Sequence, residues 1–119
     1  MQPYSETTLS RSDVEAMPGA TVLNFGTNWC GICQAAAGDI EAALSQHPGL
    51  LHIKVEDGPG RPLGRAFKVK LWPTLVVLQG GQEIARVVRP GSQQAVSEVL
   101  DQANRVADPG ERPRQTIAP

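Results

Sequence analysis

The stretch Phe25-Gly26-Thr27-Asn28-Trp29-Cys30-Gly31-Ile32-Cys33 contains both cysteines of the 119-residue chain, two positions apart. An apolar run precedes this stretch, and an alanine-rich segment with helical periodicity follows it. If Cys30 opens a helix, one turn places both sulfur atoms on the same side, close enough to bond. The free N–H groups and the dipole at a helix start also favour the thiolate form of the first cysteine. A thiolate beside a second thiol predicts thiol–disulfide exchange.

The length and composition of the chain are typical of one ordinary globular domain. It has 119 residues, of which 40% are apolar, and a formal net charge of -1. Basic and acidic residues are interspersed, so no basic stripe predicts nucleic-acid binding, and no apolar run approaches the length of a membrane span. We expect a cytoplasmic protein, or a periplasmic one if a leader has been removed. In a reducing cytosol, a close cysteine pair is more often catalytic or metal-binding than structural.

The first half of the chain has the pattern strand, helix, strand around the two cysteines. Residues 21–25 form an apolar run with one polar interruption, which predicts a buried strand. Apolar residues recur at helical spacing from Cys30 to about Gln46, and apolar and polar residues alternate over 51–56 as in a strand. This order predicts a parallel strand pair joined by a crossover helix.

The second half of the chain predicts a short helix, a hairpin and a closing helix. Apolar residues within 63–67 permit a short helix after a Gly/Pro-rich loop. The continuous apolar run 75–78 predicts a strand covered on both faces. Two glycines separate it from residues 83–88, a spacing typical of an antiparallel hairpin. Helical periodicity beginning near Ser92 predicts the last helix.

The two ends of the chain carry weaker signals. Residues 5–9 favour a short edge strand, and the capping-box spacing of Ser12 and Glu15 predicts a short helix over about residues 11–17. Residues 108–119 combine proline, glycine and charge without periodicity, which predicts a disordered tail. The folded domain is therefore expected to comprise residues 1–107.

This order of elements and two short motifs resemble the thioredoxin family. Phe25 followed by Trp29-Cys30-Gly31-Ile32-Cys33 resembles the family's Trp-Cys-Gly-Pro-Cys, and Trp72-Pro73-Thr74 resembles its Ile-Pro-Thr. The resemblance covers about residues 5–106, without a large insertion. It implies an α/β thioredoxin fold with a central mixed sheet of about four to five strands, flanked by about four helices.

The resemblance also implies roles for individual residues. Cys30 is the nucleophile that attacks a substrate disulfide, and Cys33 resolves the mixed disulfide. Pro73 corresponds to the family's cis-proline, whose bend exposes the backbone of Trp72 to an extended substrate strand. Lys54 falls at the spacing where thioredoxins carry a lysine near the resolving thiol. The implied substrate-binding surface comprises Trp29, Gly31, Ile32, Trp72, Pro73, Thr74 and Gly91.

By the same resemblance, the chain is a monomer that reduces or exchanges disulfides in partner proteins. Its implied partners are disulfide-containing proteins and a thioredoxin-type reductase. No cofactor is expected beyond the redox-active disulfide of Cys30 and Cys33, and no metal, nucleic acid or membrane.

Two positions depart from the family pattern beside the cysteines. Asn24 stands where thioredoxins carry a buried aspartate that takes the proton of the resolving cysteine, and an amide cannot accept a proton at neutral pH. Glu56 is a candidate substitute for that aspartate. Ile32 replaces the proline of the dipeptide, which predicts a potential less reducing than that of Cys-Gly-Pro-Cys.

Three other interpretations of the cysteine pair stay open at this point. The two thiols could be inert core residues, or they could supply half of a tetrahedral zinc site. His47 and His52 are the other soft ligands in the chain, and we expect both to be surface residues. The pair could also belong to a redox-responsive binding module of low turnover, because slow resolution favours long-lived complexes.

Overall fold

The computed structural model describes residues 3–106, so the predicted tail lies outside the described residues. These residues form four helices and four strands, which alternate along the chain except that β4 follows β3 directly. Their bounds are α1 Arg11–Glu15, β1 Ala20–Gly26, α2 Gly31–Ser45, β2 Leu51–Glu56, α3 Pro62–Ala66, β3 Thr74–Gln79, β4 Gln82–Val88 and α4 Gln93–Val106. None of these helices is long and apolar enough to span a membrane.

The four strands form one mixed sheet in the order β2-β1-β3-β4. Strand β1 pairs parallel with β2 and antiparallel with β3, and β3 pairs antiparallel with β4. The predicted parallel pair, hairpin and fold class are therefore confirmed. Strand β1 lies between β2 and β3 and is therefore held on both sides. The cysteine stretch begins at the carboxyl end of this strand, so its starting position is fixed by the sheet.

Apolar side chains cover both faces of the sheet. On one face, Val22 and Leu75 pack with Ile40 of α2 and Leu100 of α4. On the other face, the core includes residues of α1, β1, β3 and the α3 region, among them Val14, Leu23, Phe25, Phe67 and Val76. Strand β3 is buried along residues 74–78, as its continuous apolar run predicts.

The segment before β1 differs from the prediction in two ways. Residues 5–9 form no strand, and Ser5 makes a single parallel bridge to Val55. Helix α1 is capped by Ser10, whose side chain accepts from the N–H of Asp13 at 3.1 Å, and not by Ser12. The sequence offers the same spacing twice, two residues apart, and the observed start places Val14 in the core with no exposed surface.

The prediction that His47 is a surface residue is wrong. Its side chain is buried at the end of α2, with Nδ1 2.9 Å from the Ala43 carbonyl oxygen and Nε2 2.7 Å from Asp101 Oδ1. Burial alone would lower the pKa of His47, but the bonds to Ala43 and Asp101 outweigh it and raise the pKa. Both ring nitrogens face oxygen acceptors, so the protonated ring ties α2 to α4.

Candidate active site

The two cysteines lie where β1 ends and α2 begins. Cys30 is the N-cap of α2, and its Sγ accepts the N–H of Cys33 at 3.1 Å. Both residues are free thiols, 9% and 3% exposed respectively. The predicted helix start at Cys30 is confirmed, so the helix N-terminus points its unpaired N–H groups at one of the two sulfurs.

The Cys33 thiol is held in its protonated form by its surroundings. Its pKa is raised to about 11, mainly by burial and by its interaction with Cys30. Hydrogen bonds from the Thr27 backbone and the Tyr4 hydroxyl act in the opposite direction. The two sulfurs therefore differ, with Cys30 at the helix start and Cys33 enclosed beneath it.

Asn24 lies on β1, beneath the pair, and is 2% exposed. Its Oδ1 accepts a hydrogen bond from the Tyr4 hydroxyl at 2.8 Å, and its Nδ2 is 3.2 Å from Nε2 of His52. The sequence predicts that His52 is a surface residue; in the structure its side chain is partly buried, and this burial lowers its pKa.

Tyr4 is the site residue that the sequence analysis missed. Its ring packs with Cys30 and Cys33, and two reciprocal hydrogen bonds join it to Asn28. The Tyr4 N–H donates to Asn28 Oδ1 at 2.8 Å, and Asn28 Nδ2 donates to the Tyr4 carbonyl at 2.9 Å. Tyr4 lies in a stretch without periodicity. The one available signal was the missing proton acceptor at Asn24, which leaves a place for another polar partner.

Lys54 and Glu56 stand on β2, opposite Asn24 and Gly26 of β1. The Lys54 Nζ lies 4.3 Å from the centre of the Tyr4 ring, and burial lowers the pKa of this lysine. The Glu56 carboxylate lies 3.5 Å from Nη2 of Arg61, and the same Nη2 lies 2.6 Å from the Glu6 carboxylate. Lys54 therefore belongs to the group around Tyr4, whereas the substitute role of Glu56 stays a prediction.

The Trp72-Pro73-Thr74 segment packs beside the cysteines from the opposite side. The Trp72–Pro73 peptide bond is cis, and Trp72 packs against the cluster of Tyr4, Cys30 and Cys33. The Thr74 hydroxyl donates to the Leu71 carbonyl at 2.6 Å. The structure thus brings together the two motifs that lie about forty residues apart in the sequence.

Two tryptophans form the rim above the pair. The Trp29 and Trp72 rings meet edge to face with centroids 5.6 Å apart. Trp72 Nε1–H donates to Asp57 Oδ2 at 2.8 Å, while Trp29 is 73% and Ile32 43% exposed. Such exposed apolar groups around a reactive thiol suit contact with a protein surface.

Arg89, which the sequence analysis did not single out, binds both carbonyl groups of this segment. Arg89 Nε donates to the Trp72 carbonyl at 2.9 Å, and the Arg89 N–H donates to the Pro73 carbonyl at 2.8 Å. Gly91 is exposed between β4 and α4, with no atom within 4 Å of where a Cβ would be. Its assignment to the substrate rim stays a prediction, as does that of Gly31.

Within residues 3–106, no group of three or more His, Cys, Asp or Glu side chains is arranged to hold a metal ion. The histidines considered as ligands have other neighbours, since His47 contacts Asp101 and His52 contacts Asn24.

A family model described as Thioredoxin matches residues 5–102. The chain belongs to the thioredoxin family. Thioredoxin from Echinococcus granulosus is 30% identical over 83 residues, which cover 70% of this chain and 76% of that protein. Thioredoxin from Staphylococcus haemolyticus is 28% identical over 95 residues, covering 77% of this chain and 89% of that protein.

Solved thioredoxin structures agree with this assignment. Reduced thioredoxin 2 from Pseudomonas aeruginosa PAO1 is 48% identical and superposes with a TM-score of 0.78, covering 86% of this chain and 94% of that chain. The family, the fold and the two adjacent thiols identify the chain as a protein thiol–disulfide oxidoreductase. Thioredoxins act on disulfide-containing proteins, so the general class of partner follows as well.

Proposed function

We propose that the chain reduces or exchanges disulfides in partner proteins, with Cys30 attacking and Cys33 resolving. The difference between the two sulfurs supports this division of roles. Cys30 Sγ accepts an N–H at the helix start, whereas Cys33 is 3% exposed and has a raised pKa. The attacking sulfur must be a thiolate. A buried, protonated thiol stays unreactive until a mixed disulfide forms beside it.

The proposed reaction transfers two electrons from the dithiol to the substrate. The Cys30 thiolate attacks one substrate sulfur, the substrate disulfide breaks, and the departing thiolate takes a proton from solvent. Cys33 then loses its proton and attacks Cys30 Sγ, which releases the second substrate thiolate and leaves a Cys30–Cys33 disulfide. A thioredoxin-type reductase, the proposed electron donor, returns two electrons and restores both thiols.

The substrate strand is proposed to lie along the cis-Pro73 segment beneath the tryptophan rim. The Trp72 carbonyl accepts from Arg89 Nε and keeps a second lone pair, and Trp29 and Ile32 offer exposed apolar surface at this place. A strand of the partner would pair with the Trp72 backbone by main-chain hydrogen bonds. We also propose that the chain acts as a monomer. For its location we propose the cytoplasm, because a reducing compartment keeps the two cysteines as thiols.

Single cysteine variants test the two roles. Cys30→Ser should abolish reduction of a model protein disulfide in the presence of dithiothreitol. Cys33→Ser should leave Cys30 reactive and accumulate a mixed disulfide that mass spectrometry detects, with the double serine variant as the unreactive control. Equal loss of all thiol reactivity in both single variants would contradict the proposed roles.

Asn24 favours a second candidate, a redox-responsive binding module of low turnover. Its amide takes no proton from Cys33, so resolution could be slow enough to preserve complexes. Turnover with a thioredoxin-type reductase separates the candidates, because a rate near that of thioredoxins rejects the binding module. The potential of the pair then gives the direction of electron flow, with about -270 mV typical of a reductant and about -120 mV of an oxidant.

A further inference from the structure

The Tyr4 hydroxyl lies beside the Asn24 amide, close to the Cys33 thiol. It donates to Asn24 Oδ1 at 2.8 Å, and the Tyr4 side chain packs with Cys33 in one buried cluster. A Cβ on Gly26 would lie 2.8 Å from Cys33 Sγ and 2.9 Å from the Tyr4 hydroxyl oxygen. The thiol and the hydroxyl thus meet above this glycine, which leaves them room because it has no side chain.

We propose that Tyr4 is a positioning residue for the resolving step, and that its hydroxyl moves its hydrogen bond from Asn24 to the Cys33 sulfur when the thiol ionises. This inference rests on the proposed role of Cys33. In the resting state the thiol can donate to the Tyr4 oxygen while the hydroxyl donates to Asn24. After ionisation the hydroxyl can donate to the sulfur, forming a charge-assisted bond that is about twice as strong as a neutral one.

Tyr4 keeps its own proton throughout this change. Burial raises the pKa of Tyr4, and the neighbouring Cys33 raises it further, so the phenol acts as a hydrogen-bond donor and not as a base. Asn24 likewise takes no proton, because an amide oxygen serves only as an acceptor near neutral pH. The Cys33 proton therefore leaves to solvent, and neither Tyr4 nor Asn24 changes its charge.

An open cavity beside Cys33 offers the route to solvent. It has a volume of about 330 Å³ and is lined in part by Tyr4, Thr27, Cys33 and Lys54. Water in this space can receive the proton when Cys33 ionises. The second substrate sulfur leaves as a thiolate and takes up a proton from solvent, so protons balance over the step.

The other titratable groups around Cys33 act alongside Tyr4. Cys30 belongs to the same site and raises the pKa of Cys33. Lys54 on β2 interacts electrostatically with Cys33, and His52 reaches the site through Asn24. Glu41 on α2 interacts with both Lys54 and His52. The experiment therefore compares variants that differ in one hydroxyl group and leave these charges in place.

Tyr4→Phe removes the hydroxyl and keeps the ring. In a Cys30→Ser background, the ionisation of Cys33 can be followed alone by the ¹³C chemical shift of its Cβ in protein labelled at cysteine. We expect Tyr4→Phe to raise the midpoint by about one pH unit, since a hydrogen bond to a charged group is commonly worth that much. Thr8→Val is the matched control, because it removes an exposed hydroxyl from the same segment and should leave the midpoint unchanged.

A chromogenic nitrobenzoate disulfide separates the two chemical steps in the protein with both cysteines. One coloured thiolate leaves when Cys30 attacks, and a second leaves when Cys33 resolves the mixed disulfide. At neutral pH, Tyr4→Phe should slow the second phase about threefold, because a tenfold loss of thiolate is partly offset by its higher nucleophilicity. This deficit should shrink and then reverse as the pH rises through the Cys33 midpoint.

Two results would overturn the role of Tyr4. One is a Cys33 titration midpoint that Tyr4→Phe leaves unchanged. The other is a second phase that Tyr4→Phe slows equally at every pH, because that result would mean that Tyr4 contributes packing alone. A missing first phase would instead contradict the role of Cys30 as the attacking thiol. The two phases therefore separate failure of this inference from failure of the proposed function.

Discussion

Gly26→Ala should destabilise the protein by pressing on the two side chains that meet above the last residue of β1. A Cβ at this position would lie 2.8 Å from Cys33 Sγ and 2.8 Å from Tyr4 Cζ. Ordinary contacts begin near 3.4 Å, so each neighbour must retreat by about 0.6 Å. Both are enclosed, since Cys33 is 3% and Tyr4 7% exposed, and neither can simply swing into solvent.

Two opposing terms set the magnitude of this effect. Overpacking a closed site costs about 1–3 kcal/mol, and replacing glycine by alanine recovers about 0.4–1 kcal/mol of chain entropy. We therefore expect the free energy of unfolding to fall by about 0.5–2 kcal/mol, which corresponds to a Tm lower by about 2–8 °C for a domain of this size. The nitrobenzoate assay should also show a slower second phase, because Tyr4 and Cys33 are pushed apart.

Gly38→Ala on α2 is the matched control for Gly26→Ala. Gly38 is exposed, and no atom lies within 4 Å of where its Cβ would be. The same substitution should therefore stabilise the helix by up to about 1 kcal/mol. Thermal unfolding of both variants measures the contrast in sign. A Gly26→Ala protein as stable as the original, with an unchanged second phase, would refute this reasoning.

The remaining predictions concern the core, a buried histidine and the rim. Leu100→Ala should cost about 2–5 kcal/mol in urea unfolding because Leu100 has no exposed surface, and a cost below about 1 kcal/mol would contradict close packing there. The pKa of His47 is raised in the folded state, so its bond to Asp101 stabilises most below about pH 6.5, the unfolded pKa, and less as pH rises through the folded pKa. Asp101→Asn should thus lose more stability near pH 6 than near pH 8, and an equal loss at both would show that His47 does not titrate in this range. Asp57→Ala removes the 2.8 Å bond to Trp72 and should slow reaction with a protein disulfide about fivefold, for one bond of about 1 kcal/mol, with a small disulfide unaffected. Equal slowing with both disulfides would mean that Trp72 does not meet the protein substrate.

Most of the fold could be predicted from the sequence because its elements have strong local signals. The run 75–78 marks β3, the two glycines after it mark the hairpin, and helical spacing marks α2 and α4. The N-cap of α1 could not be predicted because Ser10 and Ser12 both fit the capping pattern. The choice of Ser10 depends on the tertiary fold, in which Val14 is fully buried. His47 was misplaced because its buried environment depends on Asp101, 54 residues away in the sequence.

The two sulfurs of the site differ in how far sequence alone can describe them. Cys30 owes its environment to local structure, since the N-cap position and the N–H of Cys33 follow from a helix that the sequence predicts. Cys33 owes its environment to Tyr4, Asn24 and Gly26, which come together only through the tertiary fold. A motif search therefore predicts the attacking step. The resolving step depends on contacts that a motif does not contain, so family members with the same two cysteines can differ in how fast they complete the reaction.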